Sequence, residues 1–231
     1  MNRPLALFFD MFGTVVDWRG SIGRAMHARF GEGVDGEAFA DAWRAEYQPA
    51  MQRVRSGGRG FVKLDLLHRE NLDRILPRFG LDHLGEAERA ELTLLWHRLD
   101  AWPEAGLALR RLGVKYLLAP MSNGNIALMV GMARHNHFHW DAILGAEIAR
   151  DYKPKAGVYL AGCAALDLAP GQCMMVAAHS DDLVAARAAG LMTAHVARPD
   201  EFGPGKGEAA PSAPVDVAAR DLDHLAEVLG C

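Results

Sequence analysis

Continuous apolar runs that end in polar residues recur along the chain. "LALFF" (5–9) ends at Asp10, and "VKYLLAPMSN" (114–123) ends in Ser122 and Asn123. "CMMVAAHSDD" (173–182) ends in acids, and "LMTAHVA" (191–197) is a fourth. Such runs predict strands buried on both faces, as in a parallel sheet. Helical periodicity lies between them, over 125–135, 155–168 and 182–190, the last stopped by Gly190. Strands alternating with helices predict a doubly wound α/β sheet. In such sheets ligands sit beyond the carboxyl ends of the strands. Asp10, Ser122, Asn123 and the 177–182 cluster fall on that edge.

Residues 19–100 interrupt the alternation. Three stretches there, 38–57, 61–80 and 85–100, are helical in period, with no buried run between them. They predict a helical domain inserted into a core formed by 1–18 and 101–231. An insertion at this point would cap the strand ends, select substrate and exclude water. The Gly- and Pro-rich stretch 198–216 predicts a long surface loop, and "LDHLAEVLG" a closing helix.

Composition narrows the function. The chain has 231 residues, half of them apolar and 23% charged, with a formal net charge of −4. That balance argues against a nucleic-acid partner. The basic turn "RVRSGGRG" (53–60) is too short to reverse it. A small anionic substrate remains compatible, because a few cations set the field of a pocket. Three cysteines without motif spacing read as free thiols in a reducing compartment. No apolar run is long enough to span a bilayer, and "MNRPLALFF" lacks a secretory leader's h-region, so a cytoplasmic location is expected. The histidines of "RHNHFHW" (134–140) sit at a helix end, in the turn toward the next strand, and predict no metal site.

A carboxylate after a buried strand, followed by "FGT", can act as a covalent nucleophile or cap the next helix. Taken together, "FFDMFGTVVDW", "MSNGN", "DYKPKAGVY" and "VAAHSDDLVAARAAGL" resemble the four motifs of the haloacid dehalogenase superfamily. They are most similar to those of its type II (S)-2-haloacid dehalogenases. The resemblance implies a Rossmann-like core under a helical cap, hydrolysis of short L-2-haloacids or haloacetate, no cofactor or metal, and a homodimer.

The resemblance also implies roles. Asp10 would attack the α-carbon and expel halide, and water would then cleave the aspartyl ester. Lys153 would neutralise Asp10, Thr14 would steady it, and Tyr159 would support the lysine or carboxylate. Asp182 would position or activate the water. Ser122, with backbone amides near Met11, Phe12 and Asn123, would hold the substrate carboxylate. Arg44 would receive the halide, and Phe61 and Ala177 would line the pocket. Phosphatases of the superfamily carry a second aspartate two residues after the first, where this chain has Phe12. They also keep a metal-binding aspartate where Ala178 stands. A halide departs without a proton, so one carboxylate suffices. The chain departs from the family in having His179 where an asparagine is usual. His179 fits a pocket donor, a helper for the water, or a space-filling ring. Ring opening of a cyclic imino acid, phosphate-ester hydrolysis and a silent binding relative stand as alternatives.

Overall fold

A computed structural model describes residues 3–57 and 59–231. Met1 and Asn2, at the head of the run read as lacking a leader, and Gly58, within the basic turn, lie outside the described residues.

Six strands form one parallel sheet: β1 (Ala6–Phe9), β2 (Leu117–Ser122), β3 (Leu144–Gly145), β4 (Cys173–Ala177), β5 (Met192–Val196) and β6 (Val217–Ala219). Their order is β3-β2-β1-β4-β5-β6. The apolar runs alternate between two cores, which is why they read as continuous. Leu7, Phe9, Leu118, Met174 and Val176 join one cluster; Ala6, Phe8, Ala119, Met175 and Ala177 join the other. Chain order reverses between β1 and β4, so a crevice opens at their carboxyl ends.

After β1 the chain leaves the sheet to form five α-helices, α1 (Trp18–Phe30), α2 (Gly36–Ala45), α3 (Tyr47–Arg55), α4 (Leu64–Ile75) and α5 (Glu86–Thr93), before it returns through α6 (Ala105–Gly113) to β2. Asp17 caps α1 by accepting from Gly20 N at 2.8 Å, and Asp35 caps α2 by accepting from Ala38 N at 3.0 Å. The segment predicted as one helix over 38–57 breaks at Glu46. Pro49 accounts for the break: its ring cannot donate to Ala45 and fits only the first turn of a new helix. Gly36 is obligatory, because a Cβ there would meet Gly23 O at 2.3 Å where α2 crosses α1.

The remaining helices are α7 (Ile126–Asn136), α8 (Ala146–Ala149), α9 (Ala156–Ala165), α10 (Ser180–Ala188) and α11 (Leu222–Val228). The 198–216 loop departs from expectation. Arg198 and Glu201 are buried, so its first part is tucked against the crevice rather than lying on the surface. Among the described residues, no helix is long and apolar enough to cross a membrane.

Candidate active site

β1 ends at Phe9, and the chain turns sharply through residues 10–17. Gly13 has φ +85°, and a Cβ there would lie 2.0 Å from Glu201 Oε1. Only glycine fits both constraints. Asp10 N donates to Val176 O at 2.9 Å, fixing the start of the turn across the switch point. Trp102 closes its far side, with Nε1 donating to Gly13 O at 2.9 Å.

The Asp10 carboxylate is buried and its two oxygens have different partners. Oδ1 accepts from Lys153 Nζ at 2.8 Å. Oδ2 accepts from Thr14 Oγ1 at 3.0 Å and faces His179 Nδ1 at 3.3 Å. Thr14 Oγ1 itself accepts from Ala178 N at 2.9 Å, which aims its proton at Asp10. Burial would raise the pKa of Asp10. Lys153 and His179 overcome that and hold it well below the ordinary carboxylate range. The two cations thus favour the carboxylate form of Asp10.

Lys153 Nζ also reaches Asp182 Oδ2 at 2.5 Å, and Tyr159 OH donates to Asp182 Oδ1. Burial lowers the lysine's pKa, but Asp10 and Asp182 more than restore it, keeping it charged. Burial raises the pKa of Asp182, and Lys153 only partly offsets this. Asn123 Oδ1 accepts from Lys153 N at 2.7 Å, fixing that loop.

His179 precedes α10 and bridges two carboxylates. Its Nε2 lies 2.8 Å from Glu201 Oε2, and Glu201 Oε1 accepts from Trp18 Nε1 at 3.0 Å. Burial pulls the imidazole's pKa down. Asp10 and Glu201 outweigh that and push it up to about 10.

A cavity of about 620 Å³ opens onto these groups. Asp10, Lys153, His179 and Asp182 line it from the sheet side, and Trp18, Arg44 and Tyr47 from the helical side. The Arg44 guanidinium lies 4.1 Å from the ring centre of Tyr47, 5.5 Å from that of Trp18 and 5.9 Å from that of Phe12. Its Nη1 is buried with no hydrogen-bond partner among the described residues. A buried cationic donor left open in an aromatic box is suited to an anion.

Phe12 also lines the cavity, edge-on to Tyr47 and Trp96. The Ser122 hydroxyl accepts from Gly124 N at 3.0 Å and keeps its proton to donate. The N–H groups of Met11, Phe12 and Asn123 meet no acceptor among the described residues.

Of the expected substrate-binding residues, Met11 and Ser122 are buried and do not line the cavity, and Phe61 and Ala177 lie elsewhere. Phe61 packs on Tyr152 at 5.3 Å and under Arg150 at 4.9 Å, outside the cavity wall. The segment before α4 docks on Tyr152, whose OH donates to Val62 O, and on Glu147 of α8, which pairs with Lys63 at 2.8 Å; this carries the ring away. Ala177 is the last residue of β4 and points into the core beneath α9 and α10. Its neighbour Ala178, past the strand's end, turns its backbone N–H to Thr14 Oγ1.

Glu201, Trp18 and Tyr47 were not foreseen as site residues. Glu201 lay in a Gly- and Pro-rich stretch with no periodicity, 183 residues from its partner Trp18. Tyr47 carried a signal in hindsight: it lies three residues after Arg44, on one face of the single helix that the periodicity of 38–57 suggests, and the break at Glu46 leaves the two side chains in contact.

A family model described as hydrolase, haloacid dehalogenase-like hydrolase, matches residues 5–190. Among solved structures, a defluorinating L-2-haloacid dehalogenase is 44% identical, with 100% of this chain and 96% of that one covered and a TM-score of 0.94. Another L-2-haloacid dehalogenase is 43% identical, with 99% and 100% covered and a TM-score of 0.93. An L-2-haloacid dehalogenase from Xanthobacter autotrophicus with chloropropionic acid covalently bound shares the fold at 21% identity, 98% coverage of both chains and a TM-score of 0.81. No curated protein sequence matches the chain.

Proposed function

The chain belongs to the haloacid dehalogenase-like hydrolase family, and on that premise we propose that it hydrolyses short L-2-haloacids to 2-hydroxyacids through an ester on Asp10. One observation carries this reading. A buried carboxylate held ionised by Lys153 and an arginine whose Nη1 has no partner among the described residues share one cavity, and an aromatic ring stands where a second acid would be needed to protonate a poorer leaving group.

Oδ2 of Asp10 is held by Thr14 and His179, so Oδ1, with Lys153 alone, is the freer nucleophile. The substrate carboxylate docks on the Ser122 hydroxyl and the open N–H groups of Met11, Phe12 and Asn123. Oδ1 attacks the α-carbon, the carbon–halogen bond breaks, and the halide takes the electron pair into the Arg44 box. The donor there is preorganised for charge that develops only as the bond breaks.

Water then attacks the ester carbonyl. Asp182, whose basicity burial has raised, takes its proton. Lys153, already on Oδ1, protonates that oxygen as it leaves with the product, and regains a proton from Asp182; the second proton of the water leaves Asp10 for solvent, restoring the carboxylate. The product hydroxyl therefore carries an oxygen that began on Asp10. Residues 19–100 act as the cap domain over a core of 1–18 and 101–231, closing the site with Trp18, Arg44 and Tyr47 at the junction.

A halide-release assay over haloacetates and L- and D-2-halopropionates tests the reading. Fluoroacetate belongs in the panel because a 44%-identical relative is defluorinating. A phosphate monoester with magnesium and a cyclic imino acid run beside them. Release from L- but not D-substrates is expected. Turnover of the phosphate ester alone would return the site to phosphatase chemistry.

A further inference from the structure

The partners of Asp10 acquire a second meaning once the carboxylate is esterified. If Oδ1 forms the bond to carbon, as proposed above, Oδ2 becomes the ester carbonyl oxygen. When water adds, Oδ2 takes the negative charge of the tetrahedral intermediate. One donor already hydrogen-bonds it, Thr14 Oγ1 at 3.0 Å, and one ring nitrogen lies beside it, His179 Nδ1 at 3.3 Å. Neither is free to turn away. Ala178 N–H occupies the Thr14 lone pair at 2.9 Å, so the hydroxyl proton points to Oδ2. Glu201, at 2.8 Å, anchors the other ring nitrogen of His179. Glu201 is itself buried and tied to Trp18.

We infer that His179 is a catalytic residue of the second half-reaction: with Thr14 it forms the oxyanion hole that receives the charge on Asp10 Oδ2 when water attacks the ester. The role is that of a charged donor rather than a base. A base must be neutral and face the water, whereas this imidazole has Nδ1 within 3.3 Å of Oδ2 and Nε2 at 2.8 Å from the Glu201 carboxylate. The charge environment supports a retained proton. Asp10 faces His179 from the nucleophile loop and Glu201 from the loop after β5, while Asp181 lies on its own helix. On the other side stand Lys153, bonded to Asp10, and His195 on β5, whose pKa burial lowers. Esterification removes the Asp10 charge and eases the proton's hold, but Glu201 remains.

The inference rests on the covalent route, so that route is checked first in the parent enzyme, by the mass of a substrate adduct on the Asp10 peptide after rapid quenching. No adduct in the parent would count against the covalent route itself. With the adduct established, His179→Ala is examined by halide burst and adduct decay. Removing one oxyanion donor costs on the order of 100-fold to 1,000-fold. The expected result is a burst of about one halide per enzyme, then adduct decay slowed by roughly 100-fold. Adduct decay at the parent rate, or no burst at all, would overturn the assignment.

A second readout needs no His179 variant. In the parent, adduct decay should slow as pH rises through the titration of His179, and Glu201→Gln should shift that fall to lower pH. Decay that accelerates across the same range would mark His179 as a base and overturn the oxyanion role.

Discussion

Arg44→Ala is expected to slow carbon–halogen cleavage by roughly 100-fold to 1,000-fold, about 2.7–4 kcal/mol, the cost of one preorganised transition-state donor. The structure indicates why the loss is kinetic. Nη1 has no partner among the described residues, so the fold makes no hydrogen bond there that the variant would break. What the fold loses is the guanidinium's contact with Tyr47, Trp18 and Phe12, about 0.5–2 kcal/mol. Against that, a buried donor that costs about 1–3 kcal/mol when unsatisfied is removed. The two nearly cancel, so the melting temperature should move by no more than roughly 4 °C. The assay is single-turnover chloride release from L-2-chloropropionate with enzyme in excess, which isolates ester formation from hydrolysis. The bromo analogue should suffer less, because bromide is the better leaving group. Chloride release within about fivefold of the parent, at an unchanged melting temperature, would refute the halide role and place the departing anion elsewhere.

Other perturbations probe the same geometry. Gly13→Ala must hold φ near +85° and displace the Glu201 carboxylate, at about 1–3 kcal/mol for the backbone alone; a thermal melt should fall by about 4–10 °C, and a drop under about 2 °C would contradict the tight turn. His179→Gln should lose stability relative to the parent in a pH-dependent way. The folded pKa is raised from 6.5 to about 10, so the parent's advantage is full below 6.5 and fades as pH rises toward 10. Urea melts at several pH values check this, and an advantage that grew with pH would reverse the sign. Halide release should survive excess chelator, since Phe12 and Ala178 occupy positions where phosphatases of this fold keep carboxylates; loss with EDTA and rescue by magnesium would contradict it.

The sheet was legible where burial on both faces writes itself as an unbroken apolar run, as in β1, β2, β4 and β5. β3 and β6 escaped notice because edge strands of two and three residues leave no run to read. α1 escaped too, since its Gly- and Arg-rich start hides the periodicity and its boundary is set by the Asp17 cap. At the site, Asp10, Lys153 and Asp182 could be placed because each follows a strand or a recognisable motif. Phe61 could not be placed correctly, because the direction of a single ring before a helix depends on how the helical layer docks. Glu201 was invisible for a deeper reason: a loop without periodicity encodes its position only through partners far away in sequence.

Covalent catalysis by Asp10 is tested most directly by the fate of solvent oxygen. In a single turnover with enzyme in excess in heavy-oxygen water, the ester route puts the label on the Asp10 side chain, and the 2-hydroxyacid leaves unlabelled. Mass spectrometry of the peptide containing Asp10 is expected to show a gain of one heavy oxygen. Label in the product with an unlabelled peptide would mean that water attacks the α-carbon directly and that Asp10 acts only as a base.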